Sequence, residues 1–333
     1  MSIAVKKFKV VNILLNKSNL NDNIVSIILN HYWKILDGKR KVLLDWIELD
    51  KLNFDFLSRN PNAIDLLSEN LEIINWFMLS KNPNAIGLLS KNYDKIYWRN
   101  LSSNVNAIRL LEKRVEYENR LPYDVYLTLK NKIHWGKLSK NEMAIKLLEK
   151  FKNRIDWNLL SKNKNAIHIL RENLHRVNWI WLSRNVNSIS VLRENKDKIY
   201  WRSLSRNENG IDLLKENYNK INWESLSENS AAIDLLNKNK DKIYWCWISL
   251  NKNAIKLIEN QIEYEESMSV NDYCNIPFGK RIWWVLVCQN ENAIQLLEKY
   301  KHKLYEDSFV DKCWDELSMN PSIFIDESMP DIL

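Results

Sequence analysis

The sequence predicts an all-α fold, a solenoid of about eleven 22-residue helix-pair repeats. Three observations carry that expectation. The stretch "LSRNPNAIDLLSENLEIINW" (57–76) is followed two residues later by "LSKNPNAIGLLSKNYDKIYW" (79–98), so the chain repeats itself. The leucine of the Leu-Ser pair recurs at Leu57, Leu79, Leu101, Leu138, Leu160, Leu182, Leu204 and Leu226, and Ile248, Leu286 and Leu317 continue the series. Seven of its ten steps are 22 residues. Five Gly and six Pro among 333 residues are too few for a chain of many strands and turns.

The elements follow in order. Residues 1–50 fit the repeat poorly and are expected to form an N-terminal helical cap. Within them "LNDNIVSIILNHYWKIL" (20–36) reads as one amphipathic helix capped near Asn21 or Asp22. The repeats are expected to occupy 51–326. Each unit opens on an Asn present in all eleven copies, from Asn60 to Asn320. Ahead of Pro61 and Pro83 this Asn offers a side-chain acceptor to the orphan amides of a helix start. Ala63, Ile64, Leu66 and Leu67 then line one helical face. Asn70, Asn92, Asn173, Asn195, Asn217 and Asn239 stand where that helix should stop, in the left-handed turn that Asn tolerates.

A second, shorter helix follows, with Asn75, Asp156, Asn178 and Asn222 as its caps and with Trp and Leu three residues apart on one face. Helices this short are marginal alone, so each unit must cover its neighbour's apolar face. At roughly 8–10 Å per packed helix, eleven units would extend on the order of 100 Å along a superhelix. Two related insertions, near 115–131 and 262–281, share an Ile/Val-Glu-Tyr-Glu start; the first should lengthen the preceding helix and add another. The terminal copies weaken as capping units do, and 327–333 reads as a tail.

Charge and composition exclude several function classes. A net charge of +7 from 49 basic and 42 acidic residues is far from that of a nucleic-acid-binding tail. Cys246, Cys274, Cys288 and Cys313 are widely spaced, which suits reduced, mostly buried thiols better than a zinc site or a disulfide scaffold. No stretch has the length of a membrane span or the form of a signal peptide, so the chain reads as soluble and intracellular. His31, His134, His168, His175 and His302 lack nearby metal-ligating or nucleophilic partners, and the scattered glycines make no phosphate loop. No enzyme, cofactor or metal is expected.

Binding residues are sought in slots that vary between units. The recurrent tryptophans, Trp76 to Trp245, belong to the inter-repeat core by their spacing. Trp181 and Trp247 instead occupy a variable slot, as do Arg99, Arg202 and Glu224 one position earlier; these five are the candidate partner contacts. The residue between Ser and Asn forms a basic stripe, Arg59, Lys81, Lys140, Lys162, Arg184 and Arg206, before switching to Glu228 and Leu250. A second basic line runs through Lys95, Lys132, Arg154, Arg176, Lys198, Lys220 and Lys242. Either line could follow a phosphate backbone, or could be a solvated face.

The units "LSxNPNAIxLLxxN…KIxWxxLSxN", the "VEYEN…LP" insertion and the ending "LSMNPSIF" resemble a family of repeat proteins encoded by giant DNA viruses of protists, the mimivirus group and its relatives. The resemblance covers roughly 44–324. It implies a viral protein acting in the host cytoplasm or carried in the virion, and says little about activity. Some viral repeat proteins carry an F-box-like helix that recruits a host ubiquitin ligase. The 20–36 segment is similar to one, with Leu20-Asn21 where the motif has Leu-Pro.

The expected function is a non-enzymatic scaffold for protein–protein interaction, with a host or viral partner. The alternatives are nucleic-acid binding along the basic stripe, and substrate adaptation for a ubiquitin ligase.

Overall fold

The invariant Asn of each unit does more than cap a turn. In the computed structural model, which describes residues 40–306 and 310–326, these side chains are buried and tie every unit to the one before it. Asn82 Nδ2 donates to the carbonyls of Ser58 (3.1 Å) and Asn60 (2.7 Å), and its Oδ1 accepts from Asn84 N (3.0 Å). The same pair of bonds to the preceding unit recurs at Asn104, Asn141, Asn163, Asn185, Asn207, Asn229, Asn251, Asn290 and Asn320. Both amide hydrogens of a buried side chain are thus satisfied by buried carbonyls, which is the condition for burying them at all.

A serine ladder runs beside it. Ser58 Oγ donates to Phe54 O of its own helix (3.0 Å) and accepts from Asn75 N of the next unit (3.0 Å). Ser80, Ser139, Ser161, Ser183, Ser205 and Ser227 repeat both bonds.

These ladders do not stop at the last unit. Asn60 of unit 1 donates to Ser318 O (3.0 Å) and Asn320 O (2.9 Å) of unit 11, and Asn53 N donates to Ser318 Oγ (2.9 Å). Asn62 Nδ2 reaches Pro321 O (2.8 Å), just as Asn84 Nδ2 reaches Pro61 O (2.9 Å). Outside the ladder a two-stranded antiparallel sheet clasps the ends: β1 (Lys41–Leu43) pairs with β2 (Phe324–Asp326), Lys41 opposite Asp326. Lys41 Nζ also meets Asp326 Oδ1 at 2.6 Å.

The solenoid is therefore a closed ring. The expectation of an extended superhelix with weakened terminal copies is corrected: unit 11 bonds to unit 1 as any unit bonds to its neighbour. A path on the order of 100 Å at 8–10 Å per unit is bent into a circle roughly 30 Å across at the ladder. Of the expected N-terminal cap (1–50), residues 40–50 supply β1 and a 3-10 turn (Leu49–Lys51) at the closure rather than a helix. The 20–36 segment and the 327–333 tail lie outside the described residues.

Within a unit, the short tryptophan helix (Trp76–Leu79 in unit 2) precedes the leucine helix (Ile86–Lys91) and a 3-10 turn (Tyr93–Lys95). Asn75, Asp156, Asn178 and Asn222 cap tryptophan helices, as their spacing predicts: each accepts from the amide three residues on. The leucine slot is fully buried from Leu57 to Leu317. In unit 10 it is filled by Val287 and not Leu286, because Asn290 N bonds to Val287 O as Asn82 N bonds to Leu79 O; the long insertion shifted the alignment by one.

A second correction concerns the helix ends. Asn70 and Asn217 are not left-handed (φ −136° and −129°). They end the helix by side chain, Asn70 Nδ2 donating to Leu66 O (2.8 Å) and Asn217 Nδ2 to Leu213 O (2.9 Å). That supplies an orphan carbonyl with a donor without any strained backbone.

Both insertions lengthen a leucine helix, to Ile108–Arg120 in unit 3 and Ile255–Glu266 in unit 9, and each adds a helix, Tyr123–Thr128 and Val270–Asn275. Each long helix turns one glutamate inward to receive the returning chain: Glu118 accepts from Ile133 N and Glu265 from Ile282 N, both at 2.9 Å.

Candidate functional site

Between neighbouring units the tryptophan helices are the closest-packed helices, as at Trp135–Lys140 with Trp157–Leu160 and Trp179–Arg184 with Trp201–Leu204. The outer side of that layer must then be the concave side of the ring. Side-chain reach agrees. Arg184 of unit 6 meets Glu228 of unit 8 at 3.2 Å, passing Arg206 of unit 7, which meets the same carboxylate at 2.7 Å. Side chains two units apart converge only on a concave face. On the leucine helices, ion pairs join adjacent units, as in Arg171–Glu194 (3.0 Å) and Arg193–Glu216 (2.7 Å).

The concave positions are those one, two and five residues after each tryptophan. Helical spacing puts the first and third of these on one face. Both groups of candidates from the sequence fall here, so the partner contacts and the basic stripe are one surface. Lys162 Nζ sits 3.2 Å from the centroid of Trp181, and the Arg206 guanidinium lies 5.8 Å over Trp247. Arg202 meets Glu224 at 2.9 Å. Arg59 lies 3.8 Å from the sulfur of Met319, across the ring closure.

Charge on this face is segregated. In units 2 to 7 the eighteen concave positions hold eight Lys or Arg and no Asp or Glu. In units 8 to 11 the twelve equivalent positions hold four acids and no cation, with Cys246, Trp247, Leu250, Val285 and Leu286 between them. The two arcs meet at the Arg184–Arg206–Glu228 and Arg202–Glu224 contacts.

Within the basic arc Lys81, Arg99, Lys137, Lys140 and Lys162 have no carboxylate partner among the described residues. Burial and then cationic neighbours pull three lysines below the ordinary lysine range: Lys81 beside Arg59, Lys137 beside Lys81 and Arg99, Lys162 beside Lys140 and Arg184. His134 is pulled down by burial, then by Arg99, and its Nδ1 accepts from Lys137 N at 3.1 Å. A cluster of cations that depress one another is a standing demand for an anion.

The second basic line has a different task. Lys95, Arg154, Arg176, Lys198 and Lys242 lie 4.1–5.2 Å over Trp76, Trp135, Trp157, Trp179 and Trp223 of their own units. These five roof the half-buried tryptophans, each contact stabilising by roughly 0.5–1 kcal/mol when exposed. Lys137 was missed in the sequence as a site residue because its slot is basic in only one unit.

Among the described residues no cluster of His, Cys, Asp or Glu could hold a metal ion, and no helix is long and apolar enough to cross a membrane. Cys246, Cys288 and Cys313 are buried and in no disulfide, and Cys274 is exposed. Comparison with known proteins finds no matching family model, no matching curated protein and no matching solved structure.

Proposed function

We propose that the ring is a non-enzymatic binding scaffold whose concave face holds an acidic segment of a partner protein. One observation carries the reading: eight cations without a single acid on the basic arc, against an outer layer where ion pairs such as Arg171–Glu194 and Arg193–Glu216 join neighbours. The opposite arc favours a protein over a nucleic acid. A nucleic-acid strand following the face would meet Glu224, Glu228, Asp315 and Glu316, whereas a protein segment can set apolar side chains against Trp247 and Leu250. The resemblance to giant-virus repeat proteins suits a partner supplied by the infected host or by the virus.

The test is affinity purification of the tagged chain from host-cell lysate, with and without nuclease, read by mass spectrometry. Partners with acidic segments that survive nuclease, and are lost when Lys137 and Lys162 are both changed to Glu, support the reading. Partners that vanish with nuclease, leaving bound RNA or DNA in the untreated sample, would replace it with nucleic-acid binding along Arg59, Lys81, Lys140, Lys162, Arg184 and Arg206.

A further inference from the structure

The basic arc is not uniform. Units 2 to 4 gather Lys81, Arg99 and Lys137, each placed by a different part of its unit. The Lys81 ammonium lies 5.2 Å over the Phe77 ring, on the flank of the tryptophan helix. Lys137 Nζ is held at 2.7 Å by Asn100 Oδ1, and Asn100 is itself buried and fixed by donating to Phe77 O (2.8 Å). Arg99 makes no ion pair or hydrogen bond among the described residues, and lines a cavity of about 560 Å³ with Phe77, Asp94, Lys95, Tyr97 and Lys130. Phe77 and Tyr97 meet edge to face, ring centroids 5.5 Å apart, and so form a rigid apolar wall beside the cations.

We infer that Lys81, Arg99 and Lys137 form a subsite for the phosphoryl group of a phosphorylated residue in the bound segment; the inference rests on the concave-face reading above. A carboxylate brings one negative charge and two oxygens, leaving part of the cluster unanswered. A phosphoryl group brings close to two charges and three acceptor oxygens, which matches an arginine fork and two ammonium groups. The ammonium of Lys137 is already positioned, so little side-chain freedom is lost when it binds. The cavity beside Arg99 has room for the residue that carries the phosphate, with Phe77 and Tyr97 as one wall. Two carboxylates lie near: Asp156 is occupied as the cap of Leu159 N at 3.0 Å, and Asp94 lines the cavity together with the cations Lys95, Arg99 and Lys130.

The experiment uses the full chain and two fluorescein-labelled octa-glutamate peptides, one with a phosphoserine at its centre. Binding is followed by anisotropy in low and moderate salt. The phosphopeptide should bind about tenfold more tightly or better, the increment of one charge-assisted set of hydrogen bonds. Arg99→Ala and Lys137→Ala should abolish that advantage while both peptides still bind. Lys164→Ala, whose ammonium pairs with Glu142 on the outer layer, should preserve it. Equal affinity for the two peptides, or an advantage that survives Arg99→Ala, would overturn the subsite and leave the scaffold reading standing. If inorganic phosphate alone binds as tightly as the phosphopeptide, the source is a free anion and the assignment to a protein segment fails. Binding of neither peptide would overturn both.

Discussion

The basic arc of units 2 to 7 and the acidic, apolar arc of units 8 to 11 are built on one backbone. Asn163 and Asn251 lie behind opposite arcs, yet each donates to the same two carbonyls of the preceding unit at 2.8–3.1 Å. The difference in charge lies in the side chains at three positions per unit on the concave face. The ladder places the same Asn in all eleven units, whereas the more open concave slots carry charge of either sign, as at Arg99, Arg202, Glu224 and Glu228; others, such as Asn100, Ser225 and Cys246, are buried. Stability and recognition are thus separated by position within the unit. That separation is the usual means by which solenoids change partner without changing fold.

The largest effects should come from the ladder and should be the same on both arcs. Asn163→Ala removes the donor to Ser139 O and the acceptor of Asn165 N, at about 1–3 kcal/mol for each such group, while Asn141 O keeps its bond from Ala144 N. A loss of roughly 2–5 kcal/mol is expected, in the upper range for single substitutions. Asn251→Ala should lose as much, by denaturant titration. A large difference between them would mean that the arcs differ in scaffold as well as surface.

The next effect separates the arcs. Lys137→Glu with Lys162→Glu should abolish binding of an acidic peptide, with a small loss of thermal stability from the broken contacts to Asn100 and Trp181. Glu228→Lys should instead release Arg184 and Arg206 and extend the basic arc, tightening the same peptide.

A smaller effect compares the two insertions. The inward Glu118 of unit 3 is paired with Arg114 at 2.8 Å, but at the equivalent place in unit 9 Glu265 has only Gln261, at 3.0 Å. Burial accordingly pushes the Glu265 carboxyl above the usual glutamate range, against the opposing pull of its hydrogen bonds to Gln261 and Ile282 N. A raised carboxyl means that the folded protein holds this proton more tightly than the unfolded chain. Its contribution to stability therefore falls as pH rises from the ordinary glutamate range through the raised value, and is constant above it. Glu265→Gln should flatten stability across that window, and Gln261→Arg should move the window down; unfolding curves at several pH values would read both. Smallest of all, Arg193→Ala breaks a fully exposed ion pair and should leave the melting temperature unchanged within error.

The sequence made the period, the helix pair and the caps on Asn75, Asp156, Asn178 and Asn222 legible, because each rests on interactions within about four residues. The closure was not legible. It depends on a small rotation accumulated over eleven interfaces, and on Asn side chains whose amide hydrogens point to the preceding unit. Read locally, those Asn residues are turn formers, since the Oδ1 bond two residues on is the only one visible within a unit. The basic stripe could be read as a line, but its position beside Arg99, Trp181, Arg202, Glu224 and Trp247 on one concave face required the ring. Five residues of the second basic line lie over tryptophans, which the sequence alone did not show. A lysine repeating every 22 residues looks the same whether it faces solvent or roofs the tryptophan of its own unit.

Ring closure is the claim on which the concave face depends, and it has a direct measurement. Cysteines placed at Arg59 and Met319, in a chain carrying Cys274→Ser so that the three buried thiols stay unlabelled, would take spin labels for a pulsed dipolar distance in solution. The closed ring predicts one narrow distribution near 20 Å, the reach of two labels on touching units. A distance approaching the order of 100 Å expected of an open superhelix of eleven units would contradict the account.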